Sequence, residues 1–208
     1  MKEFFDAIRK EYGPFKQSQI DGFNTILKAT EGMHTTHRAY LLATSWHETA
    51  STMQPIAEYG KGRGKPYGKP GKYGQAQYGR GYVQLTWDAN YEKADKALGL
   101  NGALLKDFNL AMQPTVAAKI LVRGCEEGWF TGKKLSDYLP DYVGARRVVN
   151  GTDKAQLIAG YAREFEAALR AAAPQPAQAP TNAETPQSLW AWLFAALLGW
   201  IKPKGPKA

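Results

Sequence analysis

The stretch from Tyr59 to Gly81 constrains the fold more than any other part of the chain. Glycines stand at positions 60, 62, 64, 68, 71, 74, 79 and 81, interleaved with Lys, Arg and Tyr. That density excludes a helix and predicts a loop or irregular hairpin. On either side the texture is helical. Phe4, Phe5, Ile8 and Tyr12 recur at helical spacing, and Gly13-Pro14 stops the run. Ile20, Phe23 and Leu27 share a face. Thr36 to Trp46 forms a third helical segment with His47-Glu48-Thr49 at its end. Downstream, Tyr82 to Thr86 alternates and predicts a short strand. Asp88 is placed to cap a helix that ends at Gly99. Thr115 to Gly128 and Asp153 to about Ala172 predict further helices, the last with Leu157, Ile158, Tyr161, Phe165 and Leu169 on a buried stripe. The expected fold is therefore mainly α, with a small irregular β/loop region.

Three segments are expected: a catalytic domain over 1–172, a linker over 173–187 and a tail over 188–208. The linker is rich in Pro, Ala, Gln and Thr and has no apolar periodicity. Residues 189–201, LWAWLFAALLGWI, are apolar on every side and precede three lysines. As a helix this run would span about 20 Å, short of a bilayer core of roughly 30 Å. The expected role is contact with membrane lipid; docking on protein and a short anchor are the alternatives. The N-terminus has acidic residues and no apolar core, so no signal peptide is expected.

The net charge of +8 favours an anionic partner, whether nucleic acid, anionic lipid or an acidic polymer. The cations are scattered, without the basic run that nucleic-acid binding would favour, so no nucleic-acid partner is expected. The single cysteine, Cys125, excludes an intrachain disulfide and sits in an apolar helical run, where a buried structural thiol is expected. His34, His37 and His47 lack the spacing of a zinc protease motif, so no metal or other cofactor is expected.

Glycoside hydrolysis usually takes two carboxyl groups, one to protonate the leaving oxygen and one to activate water or attack the sugar. The acid needs a poorly solvated place. Glu48 fits, because it ends an apolar helical run where the chain enters the glycine-rich loop. Between Thr49 and Trp87 the only acidic side chain is Glu58. It is the candidate for the second group, with Thr86 or another polar residue as the alternative for holding water. Gln84 and Thr86, two apart, would face the same side of a strand, and Asn90 would extend the polar wall. Arg80 would support nearby carboxylates, and tyrosines 59, 67, 73, 78 and 82 could stack on sugars.

These residues resemble glycoside hydrolase family 19, which contains plant-type chitinases and many phage and prophage endolysins. The resemblance rests on His47-Glu48-Thr49, on Tyr78-Gly79-Arg80-Gly81-Tyr82-Val83-Gln84-Leu85-Thr86-Trp87, on Asn90-Tyr91 and on Arg146-Arg147-Val148-Val149-Asn150-Gly151. It covers roughly residues 15–170. It implies a lysozyme-like helical fold with a deep cleft and inverting, cofactor-free hydrolysis of β-1,4 links between N-acetylated amino sugars. It further implies Glu48 as general acid and Thr86 as the hydroxyl that helps hold the water. Gln84, Asn90 and Asn150, with Tyr78 and Arg80, are implied for sugar binding or carboxylate support. The chitinase cysteines and a chitin-binding module are absent. Both absences point to the endolysin branch: a monomeric enzyme that degrades peptidoglycan for host lysis, held in the host cytoplasm until release to the wall. A chitinase, a lytic transglycosylase and a non-catalytic membrane-permeabilising protein are the rival readings.

Overall fold

The computed structural model describes residues 1–173. From residue 174 onward the expected linker and Trp-rich tail lie outside the described residues. The order of elements is α1 (Lys2–Tyr12), α2 (Gln17–Ala29), α3 (Thr35–Glu48), β1 (Ile56–Ala57), β2 (Arg80–Gly81), α4 (Asp88–Leu98), α5 (Ala103–Lys106), α6 (Pro114–Glu127), α7 (Tyr142–Ala145) and α8 (Ala155–Ala171), with short 3-10 turns between them. The fold is mainly helical, as the sequence predicts. Among the described residues no helix is long and apolar enough to cross a membrane.

The core is organised around α3. Every residue from Ala39 to Trp46 is buried. A helix enclosed on all sides loses its amphipathic stripe, because no face needs to be polar. Its main neighbour is α8. At the α3 end nearest Glu48 the packing is aromatic. Trp46 stacks on Phe23 with centroids 5.8 Å apart, meets Tyr12 edge-on at 5.0 Å and meets Phe165 of α8 at 6.3 Å. Each such pair contributes about 0.5–1.5 kcal/mol beyond area burial. The last turn of α3 is thereby fixed from α1, α2 and α8 together.

Thr49 ends α3 by turning its hydroxyl back to the Ser45 carbonyl at 2.7 Å, while the Met53 N–H donates to that hydroxyl at 3.0 Å. The chain then reaches β1, which pairs antiparallel with β2, Ile56 opposite Gly81 and Ala57 opposite Arg80. This two-stranded ribbon is the only sheet among the described residues.

Three local expectations are corrected. Tyr82 to Thr86 is a tight turn rather than a strand: Arg80 and Leu85 exchange backbone hydrogen bonds at 2.8 and 3.2 Å, closing a hairpin around residues 81–84. Tyr82, Val83 and Leu85 are all buried, so the apparent alternation does not mark two faces. Asp88 is the first helical residue of α4 and does not cap it. Its carboxylate accepts the Lys72 N–H at 2.6 Å and so pins the glycine-rich loop to the helix start. Leu157, placed on the buried stripe of α8, is 46% exposed. The stripe runs instead through Ile158, Ala162, Phe165 and Leu169.

Candidate active site

Glu48 is the last residue of α3, two positions past the buried stretch from Ala39 to Trp46. Its side chain is 18% exposed, neither sealed in the core nor free in solvent. Arg146 faces it, with Nη1 2.6 Å from Oε1, and that guanidinium is only 3% exposed. The Arg146 Nε donates to the Asp153 carbonyl at 3.0 Å. A buried guanidinium anchored at both ends holds the Glu48 carboxyl in one orientation. Sequence reading surrounds Glu48 with apolar residues and places Arg146 only in a motif. Their pairing spans 98 positions and leaves no local signal.

His47, beside Glu48, is half-buried. Burial lowers its pKa below the ordinary histidine value, outweighing the opposite pull of Glu48. Cys125 is fully buried in α6, and burial pushes its thiol well up, so it is an inert packing residue as expected.

Glu58 follows β1 directly. Its N–H donates to the Gly79 carbonyl at 2.8 Å, and the Gly79 N–H approaches its Oε2 at 3.4 Å. Tyr67, from the middle of the glycine-rich loop, donates its hydroxyl to Oε1 at 3.3 Å. Gln84 closes the other side, its amide nitrogen reaching the Ile56 carbonyl at 3.2 Å. A Cβ at Gly79 would stand 2.8 Å from the Gln84 Oε1. The glycine there is thus required by close approach, and it lets Gln84 and Glu58 share one short stretch of backbone. Gln84 itself has φ +55, a left-handed conformation imposed by the turn.

The other expected residues fall into different places. Thr86 donates to the Gln84 carbonyl at 2.7 Å, and Asn90 donates to the Thr86 carbonyl at 2.9 Å, so the three form a chain along the turn. Asn150 is exposed, two residues past the turn that bears Arg146, with its amide oxygen on the Gly151 N–H. Arg80 is a correction. It is 4% exposed, and its guanidinium binds the Ala76 and Tyr78 carbonyls, the Tyr91 hydroxyl and Asn109 instead of a carboxylate. It also lies 3.6 Å over the Tyr78 ring, so one face of that ring is already occupied. A guanidinium has five donors, and in a tight hairpin the nearest acceptors are backbone carbonyls.

Trp87 was not singled out by sequence reading. It is 44% exposed, has φ +74 and meets Tyr67 edge-to-face at 5.5 Å. A bulky residue at positive φ is strained, and such strain concentrates at working sites. Tyr59, next to Glu58, is 83% exposed. Aromatic surface therefore flanks Glu58. A half-open hollow of about 650 Å³ between α2 and α6 is lined by neither carboxylate. Among the described residues no group of three or more His, Cys, Asp or Glu could hold a metal ion.

Comparisons with known proteins bear on the fold. An endochitinase of Arabidopsis thaliana is 40% identical over 84 residues, a match spanning 39% of this chain and 27% of that protein. Chitinase C from Streptomyces griseus HUT6037 superposes with a TM-score of 0.54 at 24% identity, covering 80% of this chain and 74% of its own. A bacterial family 19 chitinase superposes with a TM-score of 0.53 at 26% identity, covering 72% of this chain and 85% of its own.

The fold is that of the family 19 chitinases.

No protein-family model matches the chain. Within this fold α3 carries Glu48 at its end, and Glu58 follows β1.

Proposed function

We propose that the chain is a glycoside hydrolase that cleaves β-1,4 links between N-acetylated amino sugars, with peptidoglycan as its substrate. One observation carries the reading: a carboxyl at the end of a helix buried from Ala39 to Trp46, partly open to solvent and oriented by a buried arginine. Glu48 gives its proton to the bridging oxygen. Glu58 directs water at the anomeric carbon, and Thr86, held by the same turn, helps hold that water. An inverting reaction places the two carboxyls about 6.5–9.5 Å apart. Trp87, Tyr67 and Tyr59 offer the faces on which sugar rings stack.

Peptidoglycan is preferred because the chain is strongly basic and has no disulfide, as suits an endolysin that folds in the host cytoplasm and is later released to the wall. Chitin is the second reading, since the similar proteins are named as chitinases. Mass spectrometry of products from purified peptidoglycan and from chitin oligomers separates the two. Peptidoglycan fragments with hydrated reducing ends are expected. Cleavage of chitin alone, anhydro-sugar ends, or no cleavage of either would each overturn the proposal.

A further inference from the structure

Between Gly60 and Lys72 the chain carries five cations, Lys61, Arg63, Lys65, Lys69 and Lys72, and no carboxylate. Lys72 is paired with Glu92 at 2.9 Å. The other four are exposed, and among the described residues none of them forms an ion pair.

A glycine-rich loop could scatter these charges, but this one is folded on itself. Backbone bonds link Lys61 to Glu58, Arg63 to Gly60, Lys65 to Gly62 and Gly68 to Lys65, all at 2.9–3.0 Å. Gly62 and Gly68 meet backbone to backbone: a Cβ on Gly68 would lie 2.0 Å from the Gly62 carbonyl oxygen. The loop curls around a hollow of about 510 Å³ lined by Arg63, Lys65 and Lys69. It is also tied to the site. Tyr67, between Lys65 and Lys69, donates to the Glu58 carboxylate, and the Gln77 N–H donates to the Tyr67 carbonyl at 2.8 Å. A folded loop bearing four unpaired cations and the candidate carboxylate Glu58 thus belong to one piece of chain.

We propose that this loop selects a glycan bearing carboxylates, such as one whose sugars carry acidic peptide stems, over a neutral polymer of the same sugars. The inference rests on the hydrolase reading above and names the substrate class of that site. Each exposed pair is weak and screened by salt. Several cations on one rigid loop act together, raising the local concentration of an anionic chain and fixing its register against Glu58. Neutral chitin gains nothing from them.

The test is co-sedimentation of the full-length chain and its Arg63→Gln, Lys65→Gln, Lys69→Gln triple variant with three solids. These are peptidoglycan freed of other wall polymers, the same peptidoglycan with its carboxyls amidated, and chitin. At low salt the variant is expected to bind native peptidoglycan about tenfold more weakly, with a shallower salt dependence. The two proteins should bind the amidated wall and chitin alike. Equal binding of wild type and variant to native peptidoglycan overturns the inference, as does an unchanged difference on the amidated wall. Binding needs no turnover. A chain that cleaves nothing yet shows the carboxyl-dependent difference therefore refutes the hydrolase reading and leaves the loop's preference standing.

Discussion

At the scale of single residues, the proposed chemistry rests on the Glu48–Arg146 pair. Arg146 is 3% exposed, so it is stable there only with its charge answered. Removing it leaves Glu48 facing an emptied, partly buried space. Arg146→Ala is expected to cost about 3 kcal/mol, the lower end for a broken buried pair because Glu48 keeps some solvent; chemical denaturation measures it. His47 gives a second prediction. Its folded form holds a proton less readily than the unfolded chain, because burial penalises the charged ring. Its contribution to stability is complete above about pH 6.5. That contribution declines as pH falls from there towards the lowered folded value, where the unfolded state takes up the proton first. Replacing His47 with Gln should flatten the urea midpoint between about pH 5 and 7; an unchanged slope contradicts the assignment. Glu48 stands out in the sequence as a candidate because an acid at the end of an apolar run is unusual. Arg146 as its partner was not, since nothing local links positions so far apart.

At the scale of elements, the site is set by what ends α3 and by the hairpin after β2. Gly81 has φ +89, and a Cβ there would lie 2.9 Å from the Ala111 carbonyl oxygen. Gly81→Ala should therefore lower stability by about 1–3 kcal/mol. It should also reduce catalysis more than the stability loss explains, because Gln84 and Glu58 hang on the same turn; thermal melts and sugar-release rates read the two effects. The helices were legible because apolar spacing survives even where their ends shift by a residue or two. The hairpin was misread as a strand. Tyr82, Val83 and Leu85 are all buried, and a short run of buried residues imitates alternation when one polar residue interrupts it. Arg80 was misassigned for a related reason: sequence shows its charge but not the ring of carbonyls around it.

At the scale of the whole molecule, the fold carries the candidate Glu48 at the end of α3 and the candidate Glu58 just after β1, with a basic loop following the second. If aromatic surface beside Glu58 holds the glycan, Trp87→Ala should raise KM about tenfold with a smaller change in kcat, as loss of uniform binding requires. The account stands most directly on whether Glu48 transfers the proton. The decisive measurement is the rate of reducing-sugar release from purified peptidoglycan by wild type and by Glu48→Gln, with circular dichroism confirming that both are folded. A fall of about 10²–10⁴-fold in the variant is predicted. A folded Glu48→Gln protein that releases sugar at the wild-type rate would contradict it.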